Sequence, residues 1–327
     1  MNRTDSRNQS WLITGGLGYI GAHIAMEFIS ARHKVYIIDN LSTGILERKP
    51  ENAIFIPGDV RDSELIKKIC NEYGITGIVH LAAFKHARES RLNPAKYWHN
   101  NVGATLGLIE GIQGTKVSKV LFSSSCSIYG NNPDVNEDSP DSPQSPYAFT
   151  KKTSEEMLSQ VLPSNGVSYT ALRFFNVIGC ASYPLAHDSS DECLVPVITN
   201  QIFSGAPFKI FGNSHPTLDG TCMRDYLDVR DLAKAHTLVA SRLESEPVPL
   251  VINVSAGIAT SVLQVLSEFE SVIGKKVNYS FAPANPADPI AVWCRNSRIL
   301  EGWGWRPEFN LKESISSHLE SVGRLPS

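Results

Sequence analysis

The chain has 327 residues, 42% hydrophobic and 19% charged, with a formal net charge of -3. That length holds one large or two modest domains, and the composition is that of an ordinary soluble globular protein, not a disordered one. The slight negative charge, with no basic stripe, argues against a nucleic-acid partner, and no apolar run reaches the ~20 residues that span a bilayer. The polar stretch Met1–Gln9 lacks the apolar segment of a secretory leader and reads as a frayed tail. The six cysteines (Cys70, Cys126, Cys180, Cys193, Cys222 and Cys294) form no C-x-x-C pair and have no partners at zinc-finger spacing. They are expected to be free thiols in a reducing compartment, the cytoplasm, and no metal site is expected.

In chain order, Trp11–Thr14 reads as a strand and Ala22–Ala31 as a helix carrying Ile24, Phe28 and Ile29 on one side. Strands are then expected at Lys34–Asp39, Ala53–Pro57, Gly77–Leu81, Lys119–Ser123 and Ala171–Phe175, with helices between them such as Ser63–Tyr73 and Asn100–Gln113. Strict alternation of this kind implies right-handed crossovers and a parallel sheet. Beyond residue 178 the pattern changes. Gly179–Asp191 and Gly212–Thr221 are rich in turn formers, Pro196–Phe203 and Asp231–Arg242 look helical, and the apolar run Leu250–Val254 would suit the first sheet. One domain is therefore expected over residues 1–178, with a return of 228–256, and a second over 179–327.

Two motifs carry chemistry. Gly15, Gly18 and Gly21 follow a strand and open a helix in a G-x-x-G-x-x-G spacing. The first glycine permits the tight turn, the second the approach of a pyrophosphate, and the third close packing of helix on strand, with the helix N-terminus facing the anion. Asp39 ends the next strand, where its carboxylate accepts from the ribose hydroxyls of an adenosine and repels a 2′-phosphate, so NAD is favoured over NADP. Asp59, in Gly58-Asp59-Val60, is placed near the adenine. The second motif is Tyr147-x-x-x-Lys151. Four residues apart on a helix share a face, and an ammonium beside a phenol lowers the phenol's pKa from ~10, making Tyr147 a general base. Phe122-Ser123-Ser124-Ser125 ends the fifth strand, where a parallel sheet gathers its functional groups.

Thr14–Gly21, Asp39-Asn40, Gly58-Asp59-Val60, Ser123–Tyr129-Gly130 and Tyr147-x-x-x-Lys151 resemble the extended short-chain dehydrogenase/reductase family. Phe175-Asn176, Ile210-Phe211-Gly212-Asn213, Asp219-Gly220-Thr221, Arg224-Asp225-Tyr226 and Trp303-Gly304-Trp305-Arg306-Pro307 resemble its UDP-glucose 4-epimerase branch. The resemblance runs from Trp11 to the C-terminal helix, and the DGT-x-x-RDY stretch is its most specific part. It implies an α/β fold with a doubly wound parallel sheet (a Rossmann domain) and a smaller C-terminal α/β substrate domain. It also implies an isomerase that interconverts UDP-glucose and UDP-galactose through a 4-keto sugar, with hydride passing from C4 to NAD and back to the opposite face. Tyr147 would be the base, Lys151 its activator and Ser125 the hydrogen-bonding serine. Cofactor contacts would come from Gly15, Gly18, Tyr19, Ile20, Gly21, Asp39, Asn40, Asp59, Val60, Ala82, Lys85, Asn100, Tyr147, Lys151 and Phe174. The UDP-hexose substrate would be met by Ser125, Ser127, Tyr147, Asn176, Cys193, Phe211, Arg224, Asp288 and Val292. A homodimer packed through helices of the NAD domain is implied as well.

Some positions depart from the branch. Cys193 stands where an asparagine often precedes Leu-x-Pro, Asn285 replaces a basic residue three positions before Asp288, and Val292 replaces a bulky tyrosine beside the sugar. Losing a cation near a diphosphate costs about 1–3 kcal/mol, and a valine leaves room for N-acetylated hexoses. Cys126 and Ser127 lack the acid–base pair that a 4,6-dehydratase needs, and Cys126 is off register for a 3,5-epimerase/reductase, so it reads as a small buried filler. A decarboxylase is disfavoured by the lack of an extra carboxylate. Two alternatives remain: another nucleotide-sugar enzyme acting on a uronic acid, a pentose or a non-uridine nucleotide, and an NAD-binding regulator without turnover. His80, His86 and His99 lack metal-ligand spacing and read as surface-loop residues, Trp303 and Trp305 as C-terminal packing, and Lys275-Lys276 as a solvated turn.

Overall fold

A computed structural model describes residues 9–181, 185, 187–190, 192–285 and 288–323. The expected tail, apart from Gln9, and part of the loop run 179–191 lie outside these residues.

The first half alternates strand and helix: β1 (Ser10–Thr14), α1 (Tyr19–Ser30), β2 (Lys34–Asp39), β3 (Ala53–Pro57), α2 (Ser63–Glu72) and β4 (Gly77–His80). There follow α3 (Ala87–Leu92), α4 (Pro94–Tyr97), a π-helical turn at Trp98–Val102, α5 (Gly103–Gly111), β5 (Lys119–Ser123), α6 (Pro146–Ser164) and β6 (Ser168–Phe174). The second half holds β7 (Asn176–Ile178), α7 (Leu194–Ser204), β8 (Phe208–Phe211), β9 (Met223–Asp228), α8 (Val229–Ser245) and β10 (Val251–Val254). It ends with β11 (Ala259–Ser261), α9 (Val262–Ile273), β12 (Tyr279–Ala282), β13 (Ala291–Val292), α10 (Arg298–Gly302) and α11 (Leu311–Ser321).

A seven-stranded sheet runs in the order β10-β6-β5-β4-β1-β2-β3. The registers from β3 across to β6 are parallel, the doubly wound α/β fold that the alternation of elements predicts. Helical crossovers cover both faces of such a sheet, so its strands are continuous apolar runs; Trp11, Leu12, Ile13 and Thr14 of β1 are all fully buried. Strand order reverses at β1, which has β2 on one side and β4 on the other. In open α/β sheets a ligand crevice opens at the carboxyl ends of the strands at that reversal.

Two helix starts differ from expectation. α1 begins at Tyr19, not Ala22, because extended Gly18 is its N-cap and no side chain occupies that cap. The helix expected over Asn100–Gln113 opens instead in the π turn and becomes α-helical at Gly103. Helix α6 starts where Ser145 accepts from Ala148 N–H at 3.2 Å and Pro146 takes the first turn, a position that needs no N–H.

By its contacts the chain forms two compact units. The first takes in the described residues up to Ile128, Pro143–Arg173 and Leu232–Ile252. Its core includes Leu12, Ile38, Ile78, Leu108, Val120 and Leu158. The second takes in Tyr129–Ser142, Phe174–Asp231 and the described residues from Asn253 onward. It is built on a sheet in which β11, β13 and β7 pair with β9, and on the parallel pair β12-β8. Phe208, Ile210, Leu266, Phe269, Ile315 and Leu319 lie in its core. The sequence-based division, 1–178 with a return of 228–256, differs from this one in that residues 129–142 and 174–178 sit with the second unit and the return spans Leu232–Ile252. Val135 N–H donates to Trp293 O at 2.8 Å, and Asn131 Oδ1 accepts from Ile290 N–H at 2.9 Å. Glu137 Oε1 accepts from the N–H groups of Asn253 at 2.8 Å and Arg298 at 2.9 Å.

Three buried histidines make stability pH-dependent. Burial holds His80 down to about 3 and His236 and His318 down to about 4. An unfolded chain takes up these protons near pH 6.5, whereas the folded chain resists them until their lower pKa values. The unfolded state therefore binds more protons across that window, and stability falls as pH drops from about 6.5 towards 4. Tm measured from pH 7 to pH 4 is expected to fall steadily, and less so in a His236→Gln variant. A Tm flat to pH 4.5 would contradict this.

Candidate active site

Within the first unit the glycine turn forms a cradle at the carboxyl end of β1. Gly15 has φ +67, a left-handed conformation that a side chain strains, and a Cβ there would lie 2.9 Å from Ala82 Cα. Gly21 is packed so closely that an added Cβ would collide with the backbone oxygen of Gly15 and lie 2.7 Å from Gly16 Cα. Tyr19 is buried and Ile20 half-buried in the first turn of α1. No side chain caps α1 at Gly18, and the N-terminus of a helix in such a turn is the arrangement that meets an anion.

Around the cradle, Asp39 ends β2 with its carboxylate accepting from Leu17 N–H at 3.1 Å and Leu41 N–H at 2.8 Å. Burial raises its pKa, opposed by those two N–H groups. Asn40 donates to Asp59 Oδ2 at 3.1 Å, and Arg61 binds Asp59 with both Nε and Nη2, at 2.9 Å and 2.7 Å. The guanidinium holds the Asp59 carboxyl well below the usual carboxylate range. Val60 is buried beside it. Ala82 and Lys85 lie in the loop after β4, where Lys85 is exposed.

The Tyr–Lys pair lies on α6 in the same unit. Tyr147 is half-buried in the first turn and Lys151 is buried one turn on. Lys151 Nζ donates to Ser123 O at 2.7 Å and sits 4.9 Å from the centre of the Phe122 ring. Burial pulls this ammonium down to about 7, partly offset by Glu155. Beyond β5, Ser125 Oγ accepts from Ser127 N–H at 3.2 Å. The hydroxyls of Ser123, Ser124 and Ser127 are shielded from solvent and have no hydrogen-bond partner among the described residues. Buried polar groups are rarely left so, and the glycine cradle with these hydroxyls suits a dinucleotide and a hydroxylated substrate. Cys126, expected as a buried filler, is only half-buried, since it lies in the helical turn Cys126–Tyr129 after the strand.

The first unit also shows residues that motif reading passed over. Thr14 Oγ1 accepts from the N–H groups of Leu81 at 3.1 Å and Ala82 at 3.2 Å, so its own hydrogen is directed at His80 Nδ1, 2.8 Å away. His80 is thus a neutral, 1% exposed member of β4 and not a surface-loop residue. Asn101 is buried next to Asn100. Its Oδ1 accepts from Phe84 N–H at 2.9 Å and Asn100 Nδ2 at 3.0 Å, while its Nδ2 donates to Phe84 O at 3.1 Å and Thr150 Oγ1 at 3.0 Å. Asn100 and Asn101 fall in the π turn, a distortion frequent at functional sites. The adjacent pair of asparagines was the only local signal of it.

In the second unit, β9 carries Arg224, whose Nη1 donates to Met223 O at 2.8 Å. Asp225 beside it is fully buried, accepts from Ala256 N–H at 2.7 Å and Gly257 N–H at 3.0 Å, and is pushed up to about 7 by burial. Asp219 holds the DGT turn by accepting from Thr221 N–H at 2.9 Å and Thr221 Oγ1 at 2.7 Å, and also from Ser261 Oγ. Phe211 ends β8 and is 54% exposed as a residue, which suits stacking. Asn176 and Phe174 are half-buried, Cys193 is the N-cap of α7, and Asp288 is exposed. Val292 is buried in β13, in register with Arg224. Trp303 and Trp305 are half-buried around the end of α10, and Lys276 pairs with Glu270 at 2.6 Å.

None of the six cysteines is in a disulfide, and among the described residues no helix is long and apolar enough to cross a membrane. Residues 11–255 match the model of the NAD dependent epimerase/dehydratase family. A UDP-glucose 4-epimerase of Yersinia pestis is 36% identical over 318 residues, covering 92% of this chain and 94% of the relative. The crystal structure of UDP-glucose 4-epimerase from Brucella ovis in complex with NAD superposes with a TM-score of 0.90 at 30% identity, covering 96% of this chain and 98% of that one. The UDP-Glc/GlcNAc 4-epimerase of Campylobacter jejuni superposes with a TM-score of 0.83 at 32% identity, covering 96% and 99%. With the glycine cradle and the Tyr–Lys pair in one unit and this match across three-quarters of its length, the chain belongs to the NAD-dependent epimerase/dehydratase family.

Proposed function

We propose that this protein is an NAD-dependent isomerase that inverts C4 of UDP-hexoses, interconverting UDP-glucose and UDP-galactose. The observation that carries the reading is Lys151: a buried ammonium one helical turn from Tyr147, in the same unit as the glycine cradle and the strand-end serines. Gly15, Gly18, Tyr19, Ile20 and Gly21 would hold the pyrophosphate of NAD. Asp39 and Asn40 would hold its ribose, Asp59 and Val60 would border its adenine, and Ala82, Lys85, Asn100, Lys151 and Phe174 would steady the remainder. Bound NAD would supply a two-electron acceptor that is restored in each cycle. Tyr147 takes the proton of the sugar's 4-hydroxyl and returns it once the 4-keto sugar has turned over. Lys151 favours the phenolate by its charge, and Ser125 and Ser127 orient the sugar oxygens. Asn176, Arg224 and Asp288 hold the nucleotide, Phe211 offers a face to the uracil, and Cys193 and Val292 border the sugar.

The short Val292 side chain supports acceptance of N-acetylated hexoses too, since pocket size alone discriminates weakly. A second reading, a different sugar nucleotide, draws on Asn285 and Cys193, which leave fewer polar and cationic contacts for the diphosphate. The pattern of exposed apolar residues supports a homodimer: Leu92, Trp98, Leu106 and Phe149 are 40% to 75% exposed on α3, the π turn, α5 and α6. Residues of this size exposed on neighbouring helices mark an association surface. A soluble cytoplasmic enzyme completes the proposal.

Incubation with a panel of sugar nucleotides, without added NAD, tests it. UDP-galactose formed from UDP-glucose, and epimer formed from UDP-N-acetylglucosamine, are expected. Turnover of UDP-glucose alone would remove the roomier pocket, and stoichiometric NADH release would point to a dehydrogenase.

A further inference from the structure

Glu155 lies one helical turn beyond Lys151 on α6, as Tyr147 lies one turn before it. Lys151 therefore has an acid on one side and the proposed base on the other, all on one helix face. Glu155 is 4% exposed. A carboxylate so buried, if unpaired, would draw the ammonium towards itself. Arg173 on β6, 3% exposed, prevents this by binding both oxygens, Nε to Oε1 at 2.9 Å and Nη2 to Oε2 at 2.6 Å. Such a bidentate pair occupies the carboxylate face that would otherwise attract a second cation.

The other groups around Lys151 add little charge. Burial keeps His80 of β4 neutral, β5 contributes only Ser123 O and the Phe122 ring, and Tyr169 of β6 is held well above its ordinary pKa by burial. On α6 the ionisable neighbours besides Glu155 are Tyr147 and the adjacent Lys152, whose ammonium lies 3.5 Å from Glu156 Oε1. We propose that the Glu155–Arg173 ion pair is a positioning device for Lys151: Arg173 holds the carboxylate and offsets part of its charge, so Nζ stays on Ser123 O, one turn from Tyr147, and is not drawn to Glu155. The idea rests on the reading of Tyr147 and Lys151 given above.

Two measurements test it. One is the pH dependence of kcat for UDP-glucose epimerisation, whose alkaline limb follows loss of the Lys151 proton. The other is the ¹⁵Nζ resonance of Lys151 in lysine-labelled protein, which follows the same proton without turnover. Glu155→Gln leaves Arg173 uncompensated and is expected to lower both midpoints by about one pH unit, the size of shift that a neighbouring charge produces. Arg173→Lys keeps a cation but loosens its hold on Glu155, and is expected to raise both. Glu155→Gln/Arg173→Gln removes both charges and is expected to return the midpoints close to those of the unaltered protein. Should Glu155→Gln fail to fold, the upward shift in Arg173→Lys decides the matter. An ion pair that only fastens α6 to β6 would lower Tm in each variant and leave the midpoints in place, and that result overturns the proposal. If the unaltered protein epimerises nothing, the activity reading fails instead, and the Nζ titration still decides whether the pair acts on Lys151.

Discussion

Tyr147→Phe is expected to lower kcat by about 10²–10⁴, the usual contribution of a positioned acid or base, while the protein still carries NAD. That loss corresponds to roughly 3–5 kcal/mol of barrier. The substitution keeps the ring and removes only the phenolic oxygen. Tyr147 is half-buried in the first turn of α6, and the turn itself is held by the Ser145 cap, so the variant should fold. None of the cradle residues is touched. The checks are kcat on UDP-glucose and the NAD released on denaturing the purified variant. Undiminished turnover would mean that another group moves the proton. An NAD-binding regulator, by contrast, would keep its effect in the Phe variant, which separates that alternative from an enzyme.

Gly21→Ala should strip the protein of NAD, by at least tenfold in occupancy, and cost about 1–3 kcal/mol of stability as an overpacked contact. The methyl would meet backbone atoms of Gly15 and Gly16, with Gly16 Cα at 2.7 Å. Backbone cannot swing aside as a flexible side chain can, so α1 would have to lift from the turn and carry its N-terminus away from the pyrophosphate. Gly302→Ala is the control, since a methyl there meets nothing within 4 Å. Bound NAD is read from the absorbance and enzymatic assay of the denatured supernatant, and Tm from thermal unfolding. Full NAD content in Gly21→Ala would show that the cradle adapts or that the cofactor is held elsewhere.

Strands β2, β3 and β5 run over the residues their sequences predict. Parallel strands buried on both faces are unbroken apolar runs, a pattern carried by a few adjacent residues. The glycine turn was legible for a similar reason: its demands on φ and on side-chain size fall on single residues at fixed spacing. Tyr147 and Lys151 were legible because a helix brings residues four apart together whatever surrounds it.

The second unit was harder to read. Its sheet joins β7, β9, β11 and β13, strands of two to six residues drawn from distant stretches of chain, and such short strands leave little periodicity to detect. The inclusion of residues 129–142 depends on Asn131 meeting Ile290, and on Glu137 meeting Asn253 and Arg298. His80 looked like a loop histidine because burial is set by what packs over a strand end, here Thr14 and Thr105. The sequence by itself determined the parallel sheet, the dinucleotide turn and the Tyr–Lys pair, since each is encoded in local spacing. Only the tertiary structure decided which partner each buried ionisable group meets: Arg173 on Glu155, Asp225 on the N–H groups of Ala256 and Gly257, and Lys151 on Ser123 O. Those pairings arise when β-strands and helices close over the core, and a charge removed from water must then take whatever partner the packing supplies.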